Sequence, residues 1–101
     1  LLISEINKSI TPVSNEILNS RNYPNPFNSS TVIRFQVSAV SDVLLKVFDA
    51  MGREVQTLVN ERLQQGTYSV DWNASSLSSG VYFYRLTTEK FSAVKKMMLV
   101  K

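Results

Sequence analysis

Four carboxylates stand where side-chain chemistry would have to begin: Asp42, Asp49, Glu54 and Asp71. Two such groups facing each other across a cleft can divide the work of general acid and base, or of acid and nucleophile. Each of these four, however, falls in or beside an expected turn or on the outward side of an expected strand, so no shared cleft is implied. The chain contains neither histidine nor cysteine. Imidazole acid/base chemistry, Ser-His triads, thiolate nucleophiles, Cys/His zinc centres and disulfide staples are thereby excluded together. A calcium loop needs Asp and Asn at ligand spacing, and no such ladder occurs. Asn28-Ser29-Ser30 and Asn73-Ala74-Ser75 fit the N-glycosylation pattern only. No enzymatic activity, metal or cofactor is expected, and the residues must be read for what they bind.

The composition permits one packed domain. A chain of 101 residues with 44% hydrophobic and 19% charged residues can bury a single core and has no disordered character. The net charge of +3 is spread from Lys8 to Lys101, with only Lys95 and Lys96 adjacent. Neutralising several phosphates takes a concentrated basic footprint, so nucleic acid is not an expected partner. The longest late apolar run, Met97 to Val100, is far short of the roughly 20 residues of a membrane helix, so no transmembrane segment is expected. The chain begins at Leu1 with no basic-then-apolar leader, which suggests a piece of a longer precursor. Absence of cysteine leaves the compartment open.

The elements are short strands between turn signals. Residues 1–22 hold isolated apolar positions (Ile10, Val13, Ile17, Leu18) without sustained periodicity and read as a linker or a loosely attached N-terminal arm. From residue 23 the pattern changes. In Tyr23-Pro24-Asn25-Pro26-Phe27-Asn28 two prolines fix φ and remove two backbone donors, which predicts an extended entry or edge segment. Alternation then sets in: Ile33, Phe35 and Val37 share one face, as do Val43, Leu45 and Val47, then Tyr68, Val70 and Trp72, then Tyr82, Tyr84 and Leu86. Asp49 to Gly52 suits a hairpin with a left-handed glycine, Arg53 to Val59 reads as its returning strand, and Gly66 and Gly80 mark further turns. About seven strands with turns every ten residues and no amphipathic helix predict an all-β, immunoglobulin-like antiparallel sandwich spanning residues 23–101.

Read together, Tyr23 to Asn28, Val47 to Val55, Gly80 to Leu86 and Lys95 to Lys101 resemble, in order and spacing, the type A C-terminal sorting domains of type IX secretion cargo. They are also similar to the immunoglobulin-like domain of flagellar hook-capping proteins. The sorting-domain resemblance implies a domain of exported proteins in Bacteroidota and related phyla. Its partners would be the outer-membrane secretion translocon and a sortase-like protease, which removes the domain and attaches the cargo to the cell surface. It would pass through the periplasm to the surface or the medium. Carried over by position, the recognition residues would be Pro24, Asn25, Pro26, Gly52, Gly80, Tyr82, Lys95, Lys96 and Lys101. Ser29 and Ser78 stand where the family often has proline.

Some residues break the alternation. Leu44, Phe48, Val81 and Phe83 are apolar on the outward parity. They are covered by the 61–65 loop or the N-terminal arm, or they form a patch for a partner. Met97 to Val100 suit a strand buried on both faces or one docked on another protein, which adds Met98 to the candidate interface. If that strand is an edge, removing Lys95 to Lys101 should abolish export and mostly spare the fold. A structural module that self-associates through its arm is the alternative to a targeting signal. A carbohydrate-binding accessory role would require an exposed ring at Phe48 or Phe83.

Overall fold

The computed structural model describes residues 20–90 and 92–101, and the N-terminal segment before Ser20 lies outside them. Seven strands form two antiparallel sheets, giving the expected sandwich. One sheet has the order β1-β2-β5, from β1 (Ser20–Tyr23), β2 (Ser30–Val37) and β5 (Gly66–Asn73). The other has the order β4-β3-β6-β7, from β3 (Ser41–Asp49), β4 (Glu54–Leu63), β6 (Gly80–Thr87) and β7 (Ser92–Leu99).

The predicted inward residues are the core. Ile33, Phe35, Val37, Val43, Leu45, Val47, Tyr68, Val70, Trp72, Tyr82, Tyr84 and Leu86 are all buried between the sheets. Apolar surface removed from water contributes about 25 cal/mol per Å², so one-sided burial on every strand is the driving force that selects this register over its neighbours. Phe27, Trp72 and Tyr82 make a chain of ring contacts, with centroids 5.7 and 5.8 Å apart, and Phe35 stacks on Tyr68 at 5.7 Å. Buried rings with polar tips need partners. Tyr68 donates to the Gln64 carbonyl at 2.7 Å, and Tyr82 donates to the Ser78 carbonyl at 2.8 Å, so each fixes the turn that precedes its own strand. The Tyr84 hydroxyl donates to Ser20 Oγ, and Trp72 Nε1 donates to Gln56 Oε1, which ties the two sheets at both sides. Burial pushes the Tyr84 and Tyr68 hydroxyls above their usual range and keeps them as donors.

Four expectations change. The segment 61–65 is not a covering loop, because β4 continues to Leu63 and pairs Glu61 with Val43 and Leu63 with Ser41. Gly66 is the first residue of β5, opposite Val37, and the left-handed glycines are Gly52 (φ 83°) and Gly80 (φ 154°). The strand β7 is buried on one face only: Met97 and Leu99 lie in the core while Met98 and Val100 are exposed. An edge strand that contributes two core residues cannot be removed with the fold intact, so deletion of residues 95–101 is not a clean test of export. Finally, the entry segment does not run straight. Both its X–Pro bonds are cis, and it bends through residues 24–26 before Phe27 settles beside the end of β7.

Candidate recognition surface

The surface begins at the exposed edge of β7. A free edge presents unpaired N–H and C=O groups to any passing strand, and native sheets block it. Here the blocking group is a side chain. Asn25 Nδ2 donates to the Lys96 carbonyl at 3.1 Å, and Asn25 Oδ1 accepts from the Met98 N–H at 3.0 Å. One carboxamide thus replaces one peptide unit of a neighbouring strand. Phe27 continues the pairing with its own backbone, donating to Met98 O at 2.9 Å and accepting from Val100 N at 2.8 Å. Four successive groups, three along the edge of β7 and one a residue past its end, are occupied by the entry motif.

The motif is itself held in place. Asn22 Oδ1 accepts from Asn25 Nδ2, and Asn22 Nδ2 reaches both Pro24 O and Thr31 Oγ1. The buried Thr31 hydroxyl donates to Pro24 O at 2.8 Å. Asn25 is exposed, so its two bonds to β7 are open to water and each contributes about 1 kcal/mol net. Asn25→Ala is expected to lower the unfolding free energy by about 1–2 kcal/mol in chemical denaturation and to make the chain associate at high concentration in light scattering. A variant that stays monomeric at unchanged stability would remove the clip from the account.

Beside this edge lies the outer face of the β4-β3-β6-β7 sheet. Cross-strand register places Phe48 opposite Phe83, Phe83 opposite Lys96, and Val81 opposite Met98. Phe48, Phe83, Val81 and Met98 are therefore contiguous, whereas Leu44 lies opposite Thr87, two rows away from the Phe48–Phe83 pair. The first four form an apolar strip between half-buried and exposed, with no described segment across it. Cations surround it: the Arg85 guanidinium sits 4.7 Å over the Phe48 ring, Lys46 pairs with Glu54 at 3.0 Å, and the Lys96 ammonium has no acidic partner among the described residues. Lys46 and, after it, the Thr57 hydroxyl hold the Glu54 carboxyl below its usual range. Phe48 and Phe83 are both half-buried, and Arg85 occupies the Phe48 ring, so neither presents the open platform that sugar stacking requires.

The other sequence-predicted residues divide into surface, frame and core. Asn25, Lys96 and Met98 meet at the β7 edge, and Pro24 and Pro26 flank Asn25 in the chain. Lys95 turns across to the other sheet, donating to Ser20 O at 2.9 Å. Lys101 folds back on the loop before β6, its N–H on Ser79 Oγ and its ammonium on Ser75 O. Gly80 starts β6 opposite Leu99, and Tyr82 is buried in the core beneath this surface. Gly52 lies in the β3–β4 hairpin at this same end, where Asp49 stands opposite Tyr82.

That hairpin is built around one carboxylate. Asp49 Oδ1 accepts from the Met51 and Arg53 amides, and Oδ2 accepts from Arg53 Nε, all at 2.9 Å. These bonds, the Arg53 amide foremost, hold the Asp49 carboxyl below the usual range. A depressed folded-state pKa adds stability at neutral pH that is lost as pH falls through it. Asp49→Asn is expected to lower the melting temperature at pH 7 and to flatten its fall below about pH 4, so that variant and parent converge in acid, as thermal melts across that window would register. The four carboxylates considered as chemistry are dispersed: Asp42 pairs with Arg62, Asp49 with Arg53, Glu54 with Lys46, and Asp71 stands on the opposite sheet with no ion-pair partner among the described residues.

Sequence reasoning missed how these residues meet. Asn25 and Lys96 are 71 positions apart, and nothing local in either segment reports the bond. The one available signal is an asparagine flanked by two prolines, which leaves its side chain as the polar group free to bond an edge.

The described residues thus form an immunoglobulin-like all-β sandwich with a clipped edge strand and an apolar, basic-rimmed outer face. Its sequence matches the family described as secretion system C-terminal sorting domain over residues 21–101, and the chain belongs to that family, whose members are the sorting domains of type IX secretion. Among solved structures, it is similar to that described as dimeric latent PorU from Porphyromonas gingivalis, with a TM-score of 0.66 and 19% identity. The likeness covers 87% of this chain and 10% of the other, so it speaks for the fold of a tenth of that protein. No curated protein matches the chain.

Proposed function

We propose that this domain is a non-catalytic targeting signal. Docked by its β7 edge and the adjoining outer face, it carries an attached passenger to the type IX machinery for export across the outer membrane and attachment at the cell surface. The observation that carries this reading is the convergence of Asn25, held between Pro24 and Pro26, with Lys96 and Met98 on one accessible edge, although they come from opposite ends of the domain. An edge already satisfied by its own chain presents a fixed shape rather than a sticky strand, which suits a signal that must be read and released. The apolar strip supplies contact area, and Lys96 and Arg85 favour a partner with acidic groups around an apolar centre. The partners supported are a translocon component and a sortase-like protease, with transit through the periplasm.

The test is a reporter fused ahead of residues 20–101 and expressed in a type IX-competent host. The reporter is expected at the surface or in the medium, and in the periplasm of a translocon-deficient strain. Equal periplasmic retention in both strains would sink the reading.

A further inference from the structure

The opposite face of the sandwich holds two arginines with no role in the fold. Arg21 on β1 and Arg34 on β2 are direct cross-strand partners, both exposed. Neither has an ion-pair or hydrogen-bond partner among the described residues, and the nearest acid in the register, Asp71, stands opposite Val32 and pairs with neither. Like charges directly opposite each other weaken a sheet, so this pair costs stability rather than adding it.

Its surroundings point to a ligand class. Tyr23 is 77% exposed one row further on, opposite Val32, and Arg21, Asn22, Tyr23, Val32 and Arg34 line a groove of about 460 Å³. The groove lies along β1, the last strand of its sheet, whose one neighbour among the described residues is β2. A strand added to β1 would set alternate side chains on this same outer face, one beside Arg21 and the next-but-one beside Tyr23. We infer that the β1 edge receives an extended acidic segment of a partner protein, with a carboxylate at Arg21 and Arg34 and an apolar side chain two residues away against Tyr23 and Val32. A free phosphate would use the guanidinium groups but neither the open edge nor the apolar half of the groove. The inference does not depend on the sorting role, since the two surfaces lie on different sheets.

The experiment is an NMR titration of the isotopically labelled chain with the capped peptide Thr-Glu-Thr-Val-Thr-Glu-Thr, which sets Glu and Val two residues apart on one face in either strand direction, its Gln-for-Glu counterpart, and inorganic phosphate. The acidic peptide is expected to bind at least about tenfold more tightly than the neutral one, to weaken with added salt, and to shift the amides of Ser20–Tyr23. Arg21→Glu converts the like-charge pair to an opposite-charge pair. Its melting temperature is expected to rise while its affinity for the acidic peptide falls at least about tenfold, a combination that loss of folding cannot produce. Equal binding of the two peptides, shifts confined to the other sheet, or phosphate reproducing the whole shift pattern would each overturn the inference.

Discussion

Phe27→Ala is expected to lower the unfolding free energy by about 3–5 kcal/mol, the usual cost of removing a buried aromatic ring and leaving its cavity. Phe27 sits in a loop, yet it is 2% exposed, touches Trp72 and carries the backbone bonds to Met98 and Val100. A domain of this size has roughly 4–12 kcal/mol in total, so the variant should lose about a quarter of its stability or more. Urea denaturation gives the number directly. The neighbouring Asn25→Ala, which removes only exposed hydrogen bonds, should cost about half as much or less. If Phe27→Ala cost under about 1 kcal/mol, the entry motif would be an appendage and its clip on β7 would have no anchor in the core. The coupling matters for recognition, because the edge at Lys96 and Met98 is shaped by a motif that is itself rooted among the rings of Trp72 and Tyr82.

The same chain of contacts explains which parts of the molecule were legible in advance. Strands β2, β3, β5 and β6 alternate cleanly, and their inward residues follow from parity alone, because one buried face per sheet admits one register. Strand β4 escapes that logic at two bulges. Leu58 is an extra residue between the Leu45–Val59 and Lys46–Thr57 pairs, and both Leu58 and Val59 are buried, so the alternation seems to end where the strand in fact continues. Strand β1, Ser-Arg-Asn-Tyr, has no apolar parity to read, and its place is fixed by the bonds of Ser20 to Tyr84 and Lys95. The run Met97 to Val100 misleads in the opposite sense, since its two outward members are exposed at an edge rather than buried in a centre. The apolar outward residues Phe48, Val81, Phe83 and Met98 were visible as exceptions, but only the register turns them into one strip. The side-chain clip lay beyond any local pattern, because its two halves are joined by the fold itself.

The second large effect expected is on export rather than on stability. Phe83→Glu with Lys96→Glu puts two negative charges in adjacent cross-strand positions at the centre of the proposed docking face. Both side chains point away from the core, and neither position takes part in the Asn25 clip through its side chain. The folding cost should stay within about 2 kcal/mol, from like-charge repulsion, lost partial burial of the ring and any loss of Arg85 and Phe48 geometry. Against an apolar partner surface with acidic groups, however, the change removes contact area and reverses complementarity at once, which costs several kcal/mol of binding. Secretion of a fused reporter is therefore expected to drop at least about tenfold, with far-UV circular dichroism unchanged and the melting temperature lowered by no more than about 10 °C. Charge reversal at Arg21 provides the control on the other sheet and should leave secretion intact. If the double variant were secreted like the parent while Arg21→Glu was retained, the docking surface would belong on the β1-β2-β5 sheet. The entry clip would then serve only to close an edge.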